Sequence, residues 1–86
     1  MRRAVLLQTD QFTLYPNPVS TQLNILAGDS KLYTFTLYDM AGRPAFHTTF
    51  NNYENHLILP VIPGVYVGII SLNGKTLLTN KIVKLP

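Results

Sequence analysis

Cysteine and tryptophan are absent from this 86-residue sequence, and charged residues make up only 13% of it. Without cysteine the chain has neither a disulfide framework nor a thiolate zinc site, so packing and backbone pairing must stabilise it. No apolar run approaches the roughly 20 residues that a membrane-spanning helix needs. The basic start at residues 1–3 precedes an apolar stretch too short for a signal peptide. We therefore expect neither a signal peptide nor membrane insertion in this chain.

Acidic residues are also few, and none follows Glu54. The formal net charge of +3 is therefore carried by Lys75, Lys81 and Lys84, because the other basic residues are balanced by the four acids. Two interpretations stay open for these lysines. They present a mildly basic last strand to an acidic partner, or they are solvated charges that keep a terminal strand from aggregating.

The residues that are abundant indicate one folded domain. The chain is 47% hydrophobic and contains five tyrosines and four phenylalanines, unlike a disordered segment. Turn residues divide it into seven segments rich in β-branched and aromatic residues. These segments are residues 12–15, 22–27, 33–39, 45–50, 56–59, 65–72 and 77–85. We predict an all-β fold, an immunoglobulin-like antiparallel β-sandwich of about seven strands, with a small barrel as the alternative.

Alternation within the segments predicts which residues face the core. Tyr33, Phe35 and Leu37 share one side of the third segment, and the sixth is apolar on both sides, as a central strand would be. Asn73-Gly74 supplies the pair of positive φ angles that a two-residue type I′ hairpin needs. We expect residues 11–86 to form the domain and residues 1–10 to be a flexible N-terminal segment or the remnant of a linker.

No residue pattern for catalysis is present, and we predict that the chain is not an enzyme. There is no Gly-x-Ser-x-Gly elbow, no predictable carboxylate pair and no glycine-rich phosphate loop, so neither a cofactor nor a nucleic acid is expected. His47 and His56 fall on the fourth and fifth segments, which we expect to form a hairpin that brings them close together. Two histidines without further ligands make a poor metal site, so we predict no metal.

Three motifs occur along the chain in a recognisable order. They are Tyr15-Pro16-Asn17-Pro18 followed by Gln22-Leu23-Asn24-Ile25, then Tyr38-Asp39-Met40-Ala41-Gly42-Arg43, and finally Pro63-Gly64-Val65-Tyr66 followed by Asn73-Gly74 and Lys81-Ile82-Val83-Lys84. Singly, each reads as a turn or a strand end, because proline fixes φ and glycine accepts positive φ. Together they resemble the type A C-terminal sorting domain of the type IX, or Por, secretion system of Bacteroidetes.

The resemblance implies a non-catalytic secretion signal that is recognised by the outer-membrane type IX translocation machinery and cut off by a sortase-like peptidase. The native polypeptide would carry a cargo fused N-terminally and would reach the exterior or the cell surface through the periplasm. The residues that the resemblance marks are Pro16, Asn17, Pro18, Gly42, Pro63, Gly64, Tyr66, Gly74, Lys81 and Lys84. Most of them are expected to maintain shape, and the lysines and last strand to make contacts.

Two further expectations concern surfaces. The last hairpin is long and apolar, so its edge is predicted to pair with the translocation machinery or with a second copy of the domain in a homodimer. The alternative function is an adhesive or carbohydrate-binding module of a cell-surface protein, in which Tyr33, Tyr38 and Tyr53 form a stacking surface.

Overall fold

The computed structural model describes residues 11–86, which fold into seven β-strands without a helix. The strands are β1 (Phe12–Tyr15), β2 (Gln22–Ala27), β3 (Tyr33–Tyr38), β4 (Pro44–Phe50), β5 (Glu54–Ile58), β6 (Gly64–Leu72) and β7 (Lys75–Lys84). They form two antiparallel sheets, ordered β1-β2-β5 and β4-β3-β6-β7. The predicted β-sandwich is confirmed, and the barrel is wrong because the strands separate into two sheets.

The predicted boundaries of the domain and of the strands can be compared with the structure only in part. The segment 1–10 lies outside the described residues, so the predicted domain boundary stays a prediction. Strand ends shift by up to two residues, and Leu59, predicted in the fifth strand, lies just after β5 yet is buried. No helix long and apolar enough to cross a membrane occurs in the described part of the chain.

The core lies between the two sheets and follows the predicted alternation. Tyr33, Phe35 and Leu37 of β3 are at most 1% exposed, while the threonines between them are half-buried on the outer side. The buried apolar side chains are Phe12, Val19, Leu23, Ile25, Tyr33, Phe35, Leu37, Phe50, Leu59, Tyr66, Ile70 and Ile82. Both sheets supply residues to this set, so neither sheet has a core without the other.

An aromatic cluster closes one end of the sandwich. The ring of Tyr33 lies 5.0 Å from that of Phe12 and 5.5 Å from that of Phe50, measured between ring centroids. The Tyr33 hydroxyl donates a hydrogen bond to Asp29 at 2.6 Å and accepts one from Gln11 at 2.8 Å. The bond from Tyr33 lowers the pKa of the Asp29 carboxyl, and burial raises the pKa of the Tyr33 phenol. The buried ring thus keeps its polar end satisfied.

The hairpin between β6 and β7 turns as the sequence predicts. Asn73 and Gly74 have φ angles of 52° and 82°, and Leu72 pairs directly with Lys75 across the two-residue loop. Positive φ at both central positions gives a type I′ turn, whose twist matches that of the flanking strands. This local chemistry fixes the register of the two longest strands, apart from one irregularity between Ile70 and Ser71.

The predicted hairpin between the fourth and fifth strands is wrong. β4 pairs with β3, whereas β5 pairs with β2 in the opposite sheet. The order differs from that of an immunoglobulin constant domain, where the fourth strand joins the fifth. Asn55 braces the crossing: its buried amide donates to the Asn52 and Ile25 carbonyl oxygens at 2.7 and 3.3 Å, and its oxygen accepts from the Asn52 backbone N–H at 3.2 Å.

Candidate recognition site

The first motif of the chain is bound to the last. Asn17 lies between Pro16 and Pro18, and both prolines follow cis peptide bonds. The Asn17 side-chain amide donates to the Lys81 carbonyl oxygen at 2.8 Å, and its oxygen accepts from the Val83 backbone N–H at 3.0 Å. This side chain therefore pairs with β7 as a neighbouring strand would, although it is 64 residues away from Lys81 in sequence.

Val19 continues this pairing with its backbone. Its N–H donates to the Val83 carbonyl oxygen at 2.8 Å, and its carbonyl oxygen accepts from the Leu85 N–H at 2.7 Å. Val19 also forms a parallel bridge with Lys84, and its own side chain is fully buried. Sequence reasoning missed Val19, although an apolar β-branched residue directly after Asn17-Pro18 was the signal available.

The outer edge of β7 is consequently covered in its C-terminal half. Asn17 and Val19 occupy backbone groups of Lys81, Val83 and Leu85 that an added strand would need. Strand pairing with a partner or a second copy is thereby restricted to the half of β7 nearer the hairpin turn. Natural sheets often protect their edges with such covering segments.

Replacement of Asn17 is expected to loosen the last strand. Asn17→Ala removes two hydrogen bonds to β7 and should lower the free energy of unfolding by about 1–2 kcal/mol. Asn17→Asp should cost at least as much, because a carboxylate oxygen would then face the Lys81 carbonyl oxygen. Urea titration followed by circular dichroism measures both effects.

The matched control is Asn51→Ala, at an exposed loop position between β4 and β5. Its effect should stay within about 0.5 kcal/mol, as for ordinary surface changes. Equal stabilities for Asn17→Ala and the control would contradict a structural role for the Asn17 amide.

The two lysines marked by the resemblance lie on opposite faces of β7. Lys81 pairs with Val67 on the outer face and is exposed. Lys84 pairs with Gly64 on the face that carries buried Ile82, and its ammonium donates to the Leu85 carbonyl oxygen at 3.0 Å. An odd spacing of three residues already implies opposite faces in a strand. A partner that lies flat on the outer face of this sheet therefore faces Lys81 and not Lys84.

The β3–β4 turn is organised by Asp39. One of its carboxylate oxygens accepts from the backbone N–H groups of Ala41 and Arg43, both at 2.9 Å, and the other accepts from Arg43 Nε at 3.0 Å. The backbone hydrogen bond from Arg43 is the main cause of the lowered pKa of Asp39. Gly42 has a φ of 84°, where a side chain would be strained. Asp39 and Gly42 together therefore hold this turn in its conformation.

Tyr66 fixes the loop that enters β6. Its ring is buried, and its hydroxyl donates to the Ile62 carbonyl oxygen at 2.6 Å. A Cβ placed on Gly64 would lie 3.8 Å from Tyr66 Cε2, so the aromatic ring packs over the glycine. Pro63 and Gly64 lie between Ile62 and Tyr66 in the sequence, and both are exposed. The arrangement supports the chain shape rather than presenting a reactive group.

The histidines lie on different sheets, contrary to the sequence-based expectation. His47 lies on β4 within 3.0 Å of the Thr36 hydroxyl, whereas His56 lies on β5 with its Nδ1 2.6 Å from Asn24 Oδ1. His56 Nε2 also lies 3.7 Å from a carboxylate oxygen of Glu54. Within residues 11–86 no three His, Cys, Asp or Glu side chains are grouped as a metal site requires, and no pocket is present.

The predicted tyrosine stacking surface is wrong. Tyr33 is 1% exposed and belongs to the core, because its side chain lies on the same inward side of β3 as that of Phe35. Tyr38 lies on the outer face of the four-stranded sheet, and Tyr53 precedes β5 in the other sheet with 62% of its surface exposed. The three rings therefore share no surface.

Comparison with known proteins supplies the decisive observation. The model of the secretion system C-terminal sorting domain family matches residues 13–85, nearly the whole chain. The chain belongs to this family. The sorting domain is thus a signal of the type IX secretion system, and the family is generally non-catalytic. No curated protein matches the sequence.

Membership of this family indicates where the sorting domain acts and what recognises it. The family implies a secreted or cell-surface protein of Bacteroidetes, recognition by the type IX machinery, and a cargo fused on the N-terminal side. The family match spans both the Pro16-Asn17-Pro18 motif and the last strand. These are the two parts of the sorting domain that Asn17 joins by hydrogen bonds.

Proposed function

We propose that residues 11–86 act as a folded address that directs an N-terminally fused cargo through the periplasm and across the outer membrane by the type IX machinery. The domain itself performs no catalysis in this proposal. A sortase-like peptidase would separate the cargo from it on the N-terminal side of β1. The observation that supports a folded address most strongly is the binding of the first motif to the last strand through Asn17.

The marked residues divide between two roles in this proposal. Asn17, Gly42, Tyr66 and Gly74 hold turns or strands in place, as their contacts and positive φ angles indicate. Pro16, Pro18, Pro63 and Gly64 are exposed at the chain reversals next to them. The prolines restrict the backbone there, whereas Gly64 accepts a φ of 158°. Lys81 is the marked residue with an exposed, outward side chain suited to contact a partner, whereas Lys84 is half-buried.

Fusion to a reporter tests the proposal. The 86-residue chain is placed behind a periplasmically exported reporter enzyme in a Bacteroidetes host that has a type IX system. Reporter activity is then measured in the culture medium, on the cell surface and in the periplasm. We expect the reporter to appear outside the outer membrane, and to remain periplasmic when the chain is omitted or when the host lacks the translocon.

The opposite distribution would contradict the proposal. If the fused reporter stays in the periplasm of a host that secretes its own type IX substrates, the chain is no address for that machinery. Secretion that persists without the translocon would equally count against it.

A further inference from the structure

The outer side of the central strand β6 carries an aliphatic patch. Tyr66, Gly68 and Ile70 face the core, so Val65, Val67 and Ile69 face outward. Cross-strand pairing adds Tyr38 of β3 beside Val67 and Val83 of β7 beside Val65. We call these five residues, Tyr38, Val65, Val67, Ile69 and Val83, the outer β6 face. Val65 is 41% exposed and the other four are half-buried.

The charge beside the middle of the outer β6 face is a lysine. Lys81 lies next to Val67 in the pairing of β6 with β7, and its side chain is exposed. Of the acidic residues in the described part of the chain, Asp39 directly follows Tyr38 but is bound within its turn by Arg43. Asp29 precedes β3, and Glu54 is on the other sheet. An aliphatic surface flanked by a lysine fits a surface with an apolar centre and carboxylates at its rim.

The outer face of the three-stranded sheet differs in kind. Gln22 Nε2 donates to Asn24 Oδ1 at 2.7 Å, and His56 Nδ1 lies 2.6 Å from the same oxygen, with Glu54 next to the histidine. Its polar side chains thus bind one another across strands. On this face the exposed apolar residues Leu26 and Ile58 pair with Glu54 and Gln22. The apolar side chains of the outer β6 face instead follow one another along β6 and lie beside an exposed lysine.

We infer that the outer β6 face, with Lys81 at its side, is the surface by which the sorting domain docks on an acidic-rimmed apolar surface of a type IX machinery protein. This inference rests on the proposed function and names its contact surface. Docking by the β7 edge alone competes with Asn17 and Val19, which already hold the C-terminal half of that edge. A second copy of the domain would bring another Lys81 to the same face, and the carboxylate nearest that face, Asp39, is already paired with Arg43.

Paired lysine substitutions test the face in the reporter fusion. Val67→Lys with Ile69→Lys places two charges in the middle of the outer β6 face. The control, Leu26→Lys with Ile58→Lys, places two charges on the outer face of the other sheet, where these residues are 39% and 57% exposed. We expect the first pair to reduce export at least about tenfold, the loss typical of a central contact, and the control to stay within about twofold of the unmodified chain.

Charge reversal provides a second variant in case the doubly substituted domain does not fold. Lys81→Glu leaves the backbone bonds of β7 to Asn17 in place, and Lys75→Glu changes the net charge equally near the hairpin turn. Export should fall with Lys81→Glu and not with Lys75→Glu. Thermal unfolding of each purified full-length chain must show that the variants are folded.

Each result separates the inference from the proposed function. If the unmodified chain is exported and folded Lys81→Glu and Val67→Lys/Ile69→Lys chains are exported equally well, the docking surface is elsewhere while the address function stands. If the reporter fused to the unmodified chain is itself retained in the periplasm, the result contradicts the proposed function and not only its contact surface. Dimers of the unmodified chain in analytical ultracentrifugation that Val67→Lys/Ile69→Lys dissociates without loss of export would make this a self-association surface and overturn the inference.

Discussion

Truncation after Asn80 is expected to abolish the cooperative thermal unfolding of the sorting domain. The deleted residues include Ile82, which is fully buried, and such a loss costs about 2–5 kcal/mol. The deletion also removes the partners of Asn17 and Val19 on β7, each hydrogen bond contributing about 0.5–1.5 kcal/mol. Because a domain of this size is stable by only about 5–10 kcal/mol, the truncated chain should be largely unfolded. Circular dichroism during heating measures this.

A shorter truncation separates the core from the chain end. Ending the chain at Lys84 removes Leu85 and its hydrogen bond to Val19, but keeps Ile82 and both bonds of Asn17. This control should melt cooperatively at a modestly lower temperature. A cooperative transition in the longer truncation, close to that of the full chain, would show that the last strand is dispensable for folding.

The truncation after Asn80 also shows why deletion alone does not identify the residues that the secretion machinery contacts. Loss of export after deletion of residues 81–86 would follow from unfolding as readily as from loss of a contact. Lys81→Glu is the sharper change because it alters one exposed side chain and leaves the backbone of β7 bonded to Asn17. The two changes together distinguish a required fold from a required contact.

Phe35→Ala is expected to lower the free energy of unfolding by about 3–5 kcal/mol. Phe35 is fully buried in β3, its ring lies 6.4 Å from that of Phe46, and a Cβ on Gly68 would approach it to 3.1 Å. Its removal leaves a cavity between the sheets that the glycine cannot fill. Urea titration of the purified chain measures the change.

The matched control is Thr34→Ala, one residue earlier on the same strand and on the outer side. It should change stability by about 1 kcal/mol or less, the range of strand preferences. An equal effect of the two substitutions would contradict the placement of Phe35 in the core.

Export of the Phe35→Ala chain distinguishes recognition of the folded domain from recognition of a linear C-terminal segment. Phe35→Ala leaves the complete C-terminal sequence intact while destabilising the sandwich that presents it. We expect export of the fused reporter to fall with the folded fraction at the growth temperature. Undiminished export of an unfolded Phe35→Ala chain would mean that the machinery reads the last strand as a linear segment.

The sequence predicted the elements whose causes are local. Alternation placed Tyr33, Phe35 and Leu37 in the core, because successive side chains of a strand face opposite sides. Asn73-Gly74 predicted the last hairpin, because the two residues tolerate the positive φ that a type I′ turn requires. The resemblance to the sorting-domain family was likewise visible as residue order, and the family match confirmed that resemblance.

Several features of the site depended on contacts between distant residues. The three residues 51–53 that follow β4 fit a hairpin as well as a crossing. The pairing of β5 with β2, supported by the buried amide of Asn55 bonded to Asn52 and Ile25, shows that the chain changes sheets. The hairpin prediction for His47 and His56 failed for this reason.

The amino-acid sequence by itself determined the strands, the turns, the inward residues and the family of this protein. The tertiary structure decided which sheet β4 joins, which face Lys81 occupies beside Val67, and that Asn17 and Val19 cover the edge of β7. Alternation and turn chemistry act over a few residues and can be read along the chain. The pairing of Asn17 with Lys81 spans 64 residues, and such a contact forms only when packing of the common core brings the two segments together.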